Sequence, residues 1–160
     1  MKLLKNTKTI IIAILLLGFQ SANAQWVKKY YVDDFGDPTT DGYETFMATG
    51  TFSNSATTNS ECAFKFVKDD TSLMIHVYEY QTKKANSIEA TFESIKLKTP
   101  SGNIETIKKV FFTKSGSLYF SKEELAKVLG VLSEKGSYTM IFERTSKYSN
   151  SSYKAKFSIK

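Results

Sequence analysis

Hydrophobic and polar residues alternate with a period of two along most of this chain. That is the pattern of strands that turn one face to a core and the other to water. Phe46, Ala48, Gly50 and Phe52 alternate with Met47, Thr49 and Thr51. Cys62, Phe64 and Phe66 share a face, with Lys65 opposite. Leu73, Ile75 and Val77 alternate with Met74, His76 and Tyr78. Tyr138, Met140 and Phe142 repeat the pattern, as do Tyr153, Ala155, Phe157 and Ile159. Between Ile88 and Leu97 the phase slips: Ile88, Ala90 and Phe92 lie on one parity, Ile95 and Leu97 on the other. The slip predicts a β-bulge near Glu93-Ser94, or a strand passing from one sheet to another.

Turn residues separate the runs. Lys68-Asp69-Asp70-Thr71, Thr99-Pro100-Ser101-Gly102, Lys114-Ser115-Gly116 and Lys135-Gly136-Ser137 all carry turn chemistry. Ser53 to Ser60 reads as a loop, and Tyr148 to Ser152 as a hairpin tip. One segment has a helical period instead. Ser121 and Glu124 form a capping box, and Leu125, Val128, Leu129 and Leu132 make one apolar stripe. Gly130 weakens this helix without forbidding it. The expected role of the helix is to cover an open end or edge. The fold class is therefore all-β with one short helix: a two-sheet antiparallel β-sandwich of eight or nine strands, with a flattened barrel as the second architecture. Alternation alone does not give strand order, so it does not separate the two.

The first 24 residues stand apart. Lys2, Lys5 and Lys8 precede an unbroken apolar run from Ile10 to Leu17, and Ala22-Asn23-Ala24 supplies small residues for a peptidase. This is the layout of a secretory signal cut before Gln25. The run is too short for a spanning helix, and Ser21 to Gln25 contains no Cys to carry a lipid. The expectation is a single domain, residues 25–160, exported to the periplasm or medium with no membrane insertion after processing.

Removing that segment changes the charge argument. The whole chain carries 22 basic and 16 acidic residues, a net +6. Three of the basic residues lie in the signal, leaving 19 against 16, or +3. That is ordinary solubility charge. Arg144 is the single Arg, whereas phosphate and guanine recognition favour Arg. Nucleic acid is not an expected partner.

Candidate chemistry is sparse. One Cys and one His cannot build a zinc site, and Cys62 cannot form an internal disulfide. Cys62 and His76 on neighbouring strands could in principle make a thiol–imidazole pair. Cys62, however, shares a face with Phe64 and Phe66, and His76 lies opposite the apolar set. No phosphate loop and no Gly-x-Ser-x-Gly elbow occurs. Asp33, Asp34, Asp37, Asp41 and Glu44 form an acidic segment of the kind that holds calcium, but the spacing is not that of an EF-hand and Pro38 interrupts it. No catalytic residue, metal or cofactor is assigned. Trp26, Tyr30, Tyr31, Phe35 and Tyr43 make the same stretch aromatic. Aromatics suit sugar stacking or protein anchoring when exposed, and core packing when not. The candidate binding residues are Phe35, Tyr43, Asp33, Asp34 and Asp37.

Tyr31-Val32-Asp33-Asp34-Phe35-Gly36-Asp37-Pro38-Thr39, followed by Gly50-Thr51-Phe52-Ser53-Asn54-Ser55-Ala56-Thr57, resembles a pattern in uncharacterised exported proteins of Gram-negative bacteria, the Bacteroidota in particular. The resemblance implies export and supplies no activity. The layout of the second half is similar to small periplasmic β-sandwich proteins of the invasion-associated and secretion-accessory kind, although this chain lacks paired cysteines. The expected function is a non-enzymatic binding or accessory protein of the bacterial envelope, whose partner is an envelope protein or a glycan. The alternatives are an envelope-polymer hydrolase using loop carboxylates and a structural component that assembles through its β edges. Oligomeric state is left open.

Overall fold

The structure, a computed structural model, describes residues 23–86, 89–145 and 149–160. Most of the expected signal segment, Ile88 of the phase slip and Tyr148 of the expected hairpin tip lie outside the described residues.

Among the described residues, eleven strands and one helix follow in order: β1 (Asn23–Ala24), β2 (Val27–Val32), β3 (Pro38–Ser53), β4 (Ser60–Lys68), β5 (Leu73–Glu79), β6 (Lys83–Lys84), β7 (Thr91–Lys98), β8 (Ile104–Phe112), β9 (Ser117–Phe120), α1 (Lys122–Val131), β10 (Gly136–Thr145) and β11 (Asn150–Ile159). Eight of them close a ring of antiparallel pairs, β3-β4-β5-β9-β8-β7-β10-β11 and back to β3. Strand order thus decides for the barrel over the sandwich. The described residues are all-β with one short helix, as alternation indicates.

The closure rests on β3, which is 16 residues long. One edge of it pairs with β4 from Glu44 to Phe52. The other edge is shared: the N-terminal part takes β2, and Gly50 to Ser53 take β11. β1, β2 and β6 lie outside the ring. The two residues of β1 bridge Ser158 and Ile159 in parallel. Cleavage before Gln25 would remove this bridge and leave the ring whole.

Every inward residue named from alternation on β3, β4, β5, β10 and β11 is buried, apart from the partly covered Gly50. Directly opposed aromatics stack across strands: Phe46 on Phe66 at 4.3 Å, Phe142 on Tyr153 at 4.6 Å and Tyr138 on Phe157 at 5.3 Å. Such pairs add to the stability that area burial alone supplies.

A bulge sits where the phase slips. Glu93 pairs with Val110 and Ile95 with Ile107, so two steps on β7 oppose three on β8. The extra residue is therefore on β8. Lys109 there adopts φ 52°. This lets both Ile107 and Val110 turn inward.

The helix caps one end of the barrel. The Ser121 hydroxyl accepts from Glu124 N at 3.4 Å, which is one half of the capping box. The Oε2 of Glu124 is buried without a partner among the described residues. Val128 and Leu132 are buried in the core, with Leu125 and Leu129 packed against it. The Tyr138 hydroxyl ties down the end of the helix, its one proton shared between Val131 O (2.7 Å) and Glu134 O (2.6 Å). Burial and the nearby Glu134 push this hydroxyl up to about 12.

Two boundaries differ from expectation. Asn150 to Ser152 pair with Thr145 to Glu143, so these three residues belong to β11 and not to the expected hairpin tip. These polar residues stay in the ladder because backbone bonds, not side chains, hold a strand end. Likewise, Asp33 to Glu44 is not one loop: only the turn after β2 is irregular, and Pro38 onward belongs to β3.

Candidate functional site

The ring uses β3 only from Glu44 onward. Pro38 to Tyr43 run on past the end of β4 and, among the described residues, pair with β2 alone. The result is a two-stranded ribbon projecting from the barrel at the helix end. All six residues of β2 are exposed. That explains why Val27-Lys28-Lys29-Tyr30-Tyr31-Val32 shows no alternation: neither face of the ribbon tip meets the core.

Four of the five candidate binding residues fall in the turn at the ribbon's end. Asp33 holds that turn. Its Oδ1 accepts from Phe35 N and Asp37 N, both at 2.9 Å, while Asp33 N donates to Asp37 O. Gly36 follows with φ 89°, a conformation in which a Cβ is costly. This frame leaves Asp34 and Asp37 in solvent and raises Phe35 to 92 % exposure. The fifth residue, Tyr43, is placed apart, half-buried near the ribbon's base, 5.3 Å from the Tyr31 ring. Among the described residues, no three acidic, His or Cys side chains converge as a metal set. The acidic segment therefore forms a turn and a ribbon, not a cage.

Between the ribbon and the β4–β5 turn lies an open cleft of about 720 Å³, lined by Lys28, Tyr31, Asp41, Tyr43, Glu44 and Lys68 among others. Lys68 Nζ reaches Glu44 at 2.6 Å and also sits 4.6 Å over the Trp26 ring. Trp26 packs edge-on to Phe46 at 4.5 Å, which makes it part of the core boundary. The cleft floor at Asp69 is stiff: its carboxylate takes hydrogen bonds from Thr71 and Ser72 backbone and hydroxyl groups. Those bonds, the Thr71 backbone bond first, hold Asp69 below its ordinary value.

Cys62 and His76 do not form a pair. They lie on adjacent strands but opposite faces, with Cys62 registered to Glu79 and His76 to Lys65. Burial, then Glu79, pushes the Cys62 thiol up to about 12, which leaves it an inert core residue. The His76 ring is half-buried and joins Nδ1 to Ser117 Oγ at 2.8 Å. Ser117 is buried, so this contact is structural. Burial, then Lys84 and Lys65, lowers His76 from 6.5. The unfolded chain then binds the proton more tightly than the folded one. Stability is expected to hold above 6.5 and to fall as pH drops through that value toward the folded one. Urea titrations at about pH 7.5 and about pH 5.5 check this, and His76→Gln should lose that part of the difference. An unchanged difference in the variant would place the dependence on other groups.

A polar cluster at the opposite mouth of the barrel has no simple sequence signal. The Tyr153 hydroxyl donates to Glu79 Oε1 at 2.9 Å, and burial drives that hydroxyl well above the ordinary phenol range. Arg144, only 8 % exposed, places its guanidinium 4.7 Å over the Phe112 ring. Burial raises Glu93, opposed by Thr91 and Arg144. Its residues come from β5, β7, β8, β10 and β11, and only the closed ring brings them together. The lone Arg in the composition was the one available hint.

Comparison of the chain with family models, with curated proteins and with solved structures finds no match to any of them.

Proposed function

We propose that this protein is an exported, non-enzymatic binding or accessory protein of the bacterial envelope that engages its partner through the β2–β3 ribbon. The observation that supports it most is Phe35: a large aromatic, 92 % exposed, on a turn whose backbone is held by Asp33. Exposed apolar groups on rigid, projecting turns are what recognition anchors look like before they are covered. The barrel interior supports the same view from the other side. Its inward positions are filled by Phe, Tyr, Ile and Leu side chains, which directs ligand chemistry to the surface. An envelope protein or a glycan fits the pairing of Phe35 and the cleft aromatics Tyr31 and Tyr43 with nearby carboxylates.

The hydrolase alternative has less behind it. Asp33 is committed to the turn, and Glu93, the carboxylate raised by burial, stands at the far mouth of the barrel rather than on the ribbon. A retained signal segment would count against the export half of the proposal; mass measurement of the protein in the periplasmic fraction reads it directly.

The ribbon is tested by affinity capture from envelope extract. Phe35→Ala together with Tyr43→Ala should reduce the captured partner by about tenfold or more, as loss of an aromatic anchor does. Capture of the same partner at undiminished level by the folded double variant overturns the assignment.

A further inference from the structure

We propose that two copies of this chain pair along the free edge of β2, antiparallel and two-fold symmetric, with Tyr31 of one copy opposite Tyr31 of the other.

The edge is open: among the described residues β2 pairs with β3 alone, and its six residues are all exposed. The ladder with β3 shifts register between Tyr30 and Val32, where two steps on β2 oppose four on β3, so the extra residues lie on β3 and not on the free edge. Val27, Tyr30, Tyr31 and Val32 are between 48 % and 64 % exposed, an apolar load that an isolated edge strand normally avoids. The backbone parity of the edge is set by the turn. Asp33 donates its N–H inward to Asp37 O, and Tyr31 O accepts from Thr39 Oγ1 on the same inner side. Strand alternation then turns the N–H and C=O groups of Val32, Tyr30 and Lys28 outward. Centring the pair on Tyr31 matches Tyr30 with Val32 of the second copy. Both of these present outward groups, so the ladder closes without a register fault.

Charge singles out the same register. Lys28 and Lys29 stand at the start of β2, and Asp33 and Asp34 just after its end. With Tyr31 at the centre, Lys29 faces Asp33 and Lys28 faces Asp34, twice over by symmetry. A pairing centred on Lys29 would instead set Lys29 against itself, and parallel pairing would align both lysines with their copies. Such complementarity chooses partner and register more than it supplies affinity. Because the operation is two-fold, the edge is used up by one partner, and the result is a closed dimer rather than a filament.

This inference does not depend on the ribbon turn being the binding surface.

Tyr31→Cys is the test. Opposed residues of a non-hydrogen-bonded antiparallel pair have Cα atoms about 4.5 Å apart, within disulfide reach. Cys62 is buried and does not compete. Mild oxidation should convert the folded Tyr31→Cys chain to a covalent dimer, whereas Lys156→Cys, at an exposed position of β11, should stay monomeric. Sedimentation of the natural chain should show a concentration-dependent dimer. Lys28→Glu should weaken it about tenfold and Lys28→Glu with Asp34→Lys should restore it. A monomer at every concentration, with Tyr31→Cys no more cross-linked than Lys156→Cys, overturns the proposal. So does cross-linking through Tyr30→Cys in place of Tyr31→Cys, which would mean another register. Neither result touches partner capture through Phe35.

Discussion

Gly50→Ala is expected to cost about 4 kcal/mol or more, enough to unfold much of a domain of ordinary stability. Gly50 sits on β3 at the seam where the barrel closes, opposite Ala155 of β11 on one side and Cys62 of β4 on the other. A Cβ built there would lie 2.1 Å from Lys154 O and 2.9 Å from Ala155 Cα. Both are backbone atoms, so no rotamer change relieves the overlap. β11 would have to move off, and the β3–β11 ladder is only four residues long, from Gly50 to Ser53. Gly130→Ala provides the opposite case. That residue is helical with nothing within 4 Å of a new Cβ, so the same change should stabilise by about 0.5–1 kcal/mol. Urea unfolding of the two variants reads both signs. A Gly50→Ala loss under about 1 kcal/mol would show that the seam does not close where the register places it.

What the sequence revealed and what it hid divide along one physical line. Alternation reports which residues face a core, and it did so on five strands because each has one face in and one out. It also marked the bulge at Glu93, although the extra residue turned out to be on the partner strand, at Lys109 with φ 52°. Strand order leaves no such trace. Nothing in the pattern of Gly50 to Ser53 distinguishes pairing with β11 from a free sheet edge, so sandwich and barrel stayed equivalent until the seam was seen. The ribbon was hidden for the converse reason. Its residues are exposed on both faces, so Val27 to Val32 carried no period and Asp33 to Glu44 resembled one long loop. The candidate residues were nonetheless legible in part. Asp33, Asp34, Phe35 and Asp37 do share one turn, because they are neighbours in sequence; Tyr43 is separated from them by the length of the ribbon. The cluster of Glu79, Glu93, Arg144 and Tyr153 was invisible, since its members meet only through non-local pairing.

Phe142→Ala is expected to cost about 3–5 kcal/mol, the usual range for emptying an aromatic site in a packed core. Phe142 stands on β10 between Ile95 of β7 and Tyr153 of β11. Its ring stacks on Tyr153 at 4.6 Å and lies 6.3 Å from Phe64 and 6.5 Å from Phe112. These neighbours come from opposite walls of the barrel, so they cannot collapse into the vacancy without bending β10 out of two ladders at once. Ile141→Ala, one residue earlier, should change stability by only about 0.5 kcal/mol, because Ile141 points outward and is 39 % exposed. The contrast between adjacent positions therefore tests the inward parity of β10 itself. The larger loss has a second consequence. Phe112 is the ring beneath the Arg144 guanidinium, and removing Phe142 takes away one of its supports. The deeply buried charge at that mouth would then be partly freed to solvent. Glu93 is raised by burial and drawn down by Arg144. Wetting of the mouth in Phe142→Ala should weaken both influences. Carboxyl titration of Glu93 in the folded variant should show its pKa returning toward the ordinary glutamate value if burial is the larger influence. Movement the other way would mean that the Arg144 attraction, not burial, governs that carboxylate.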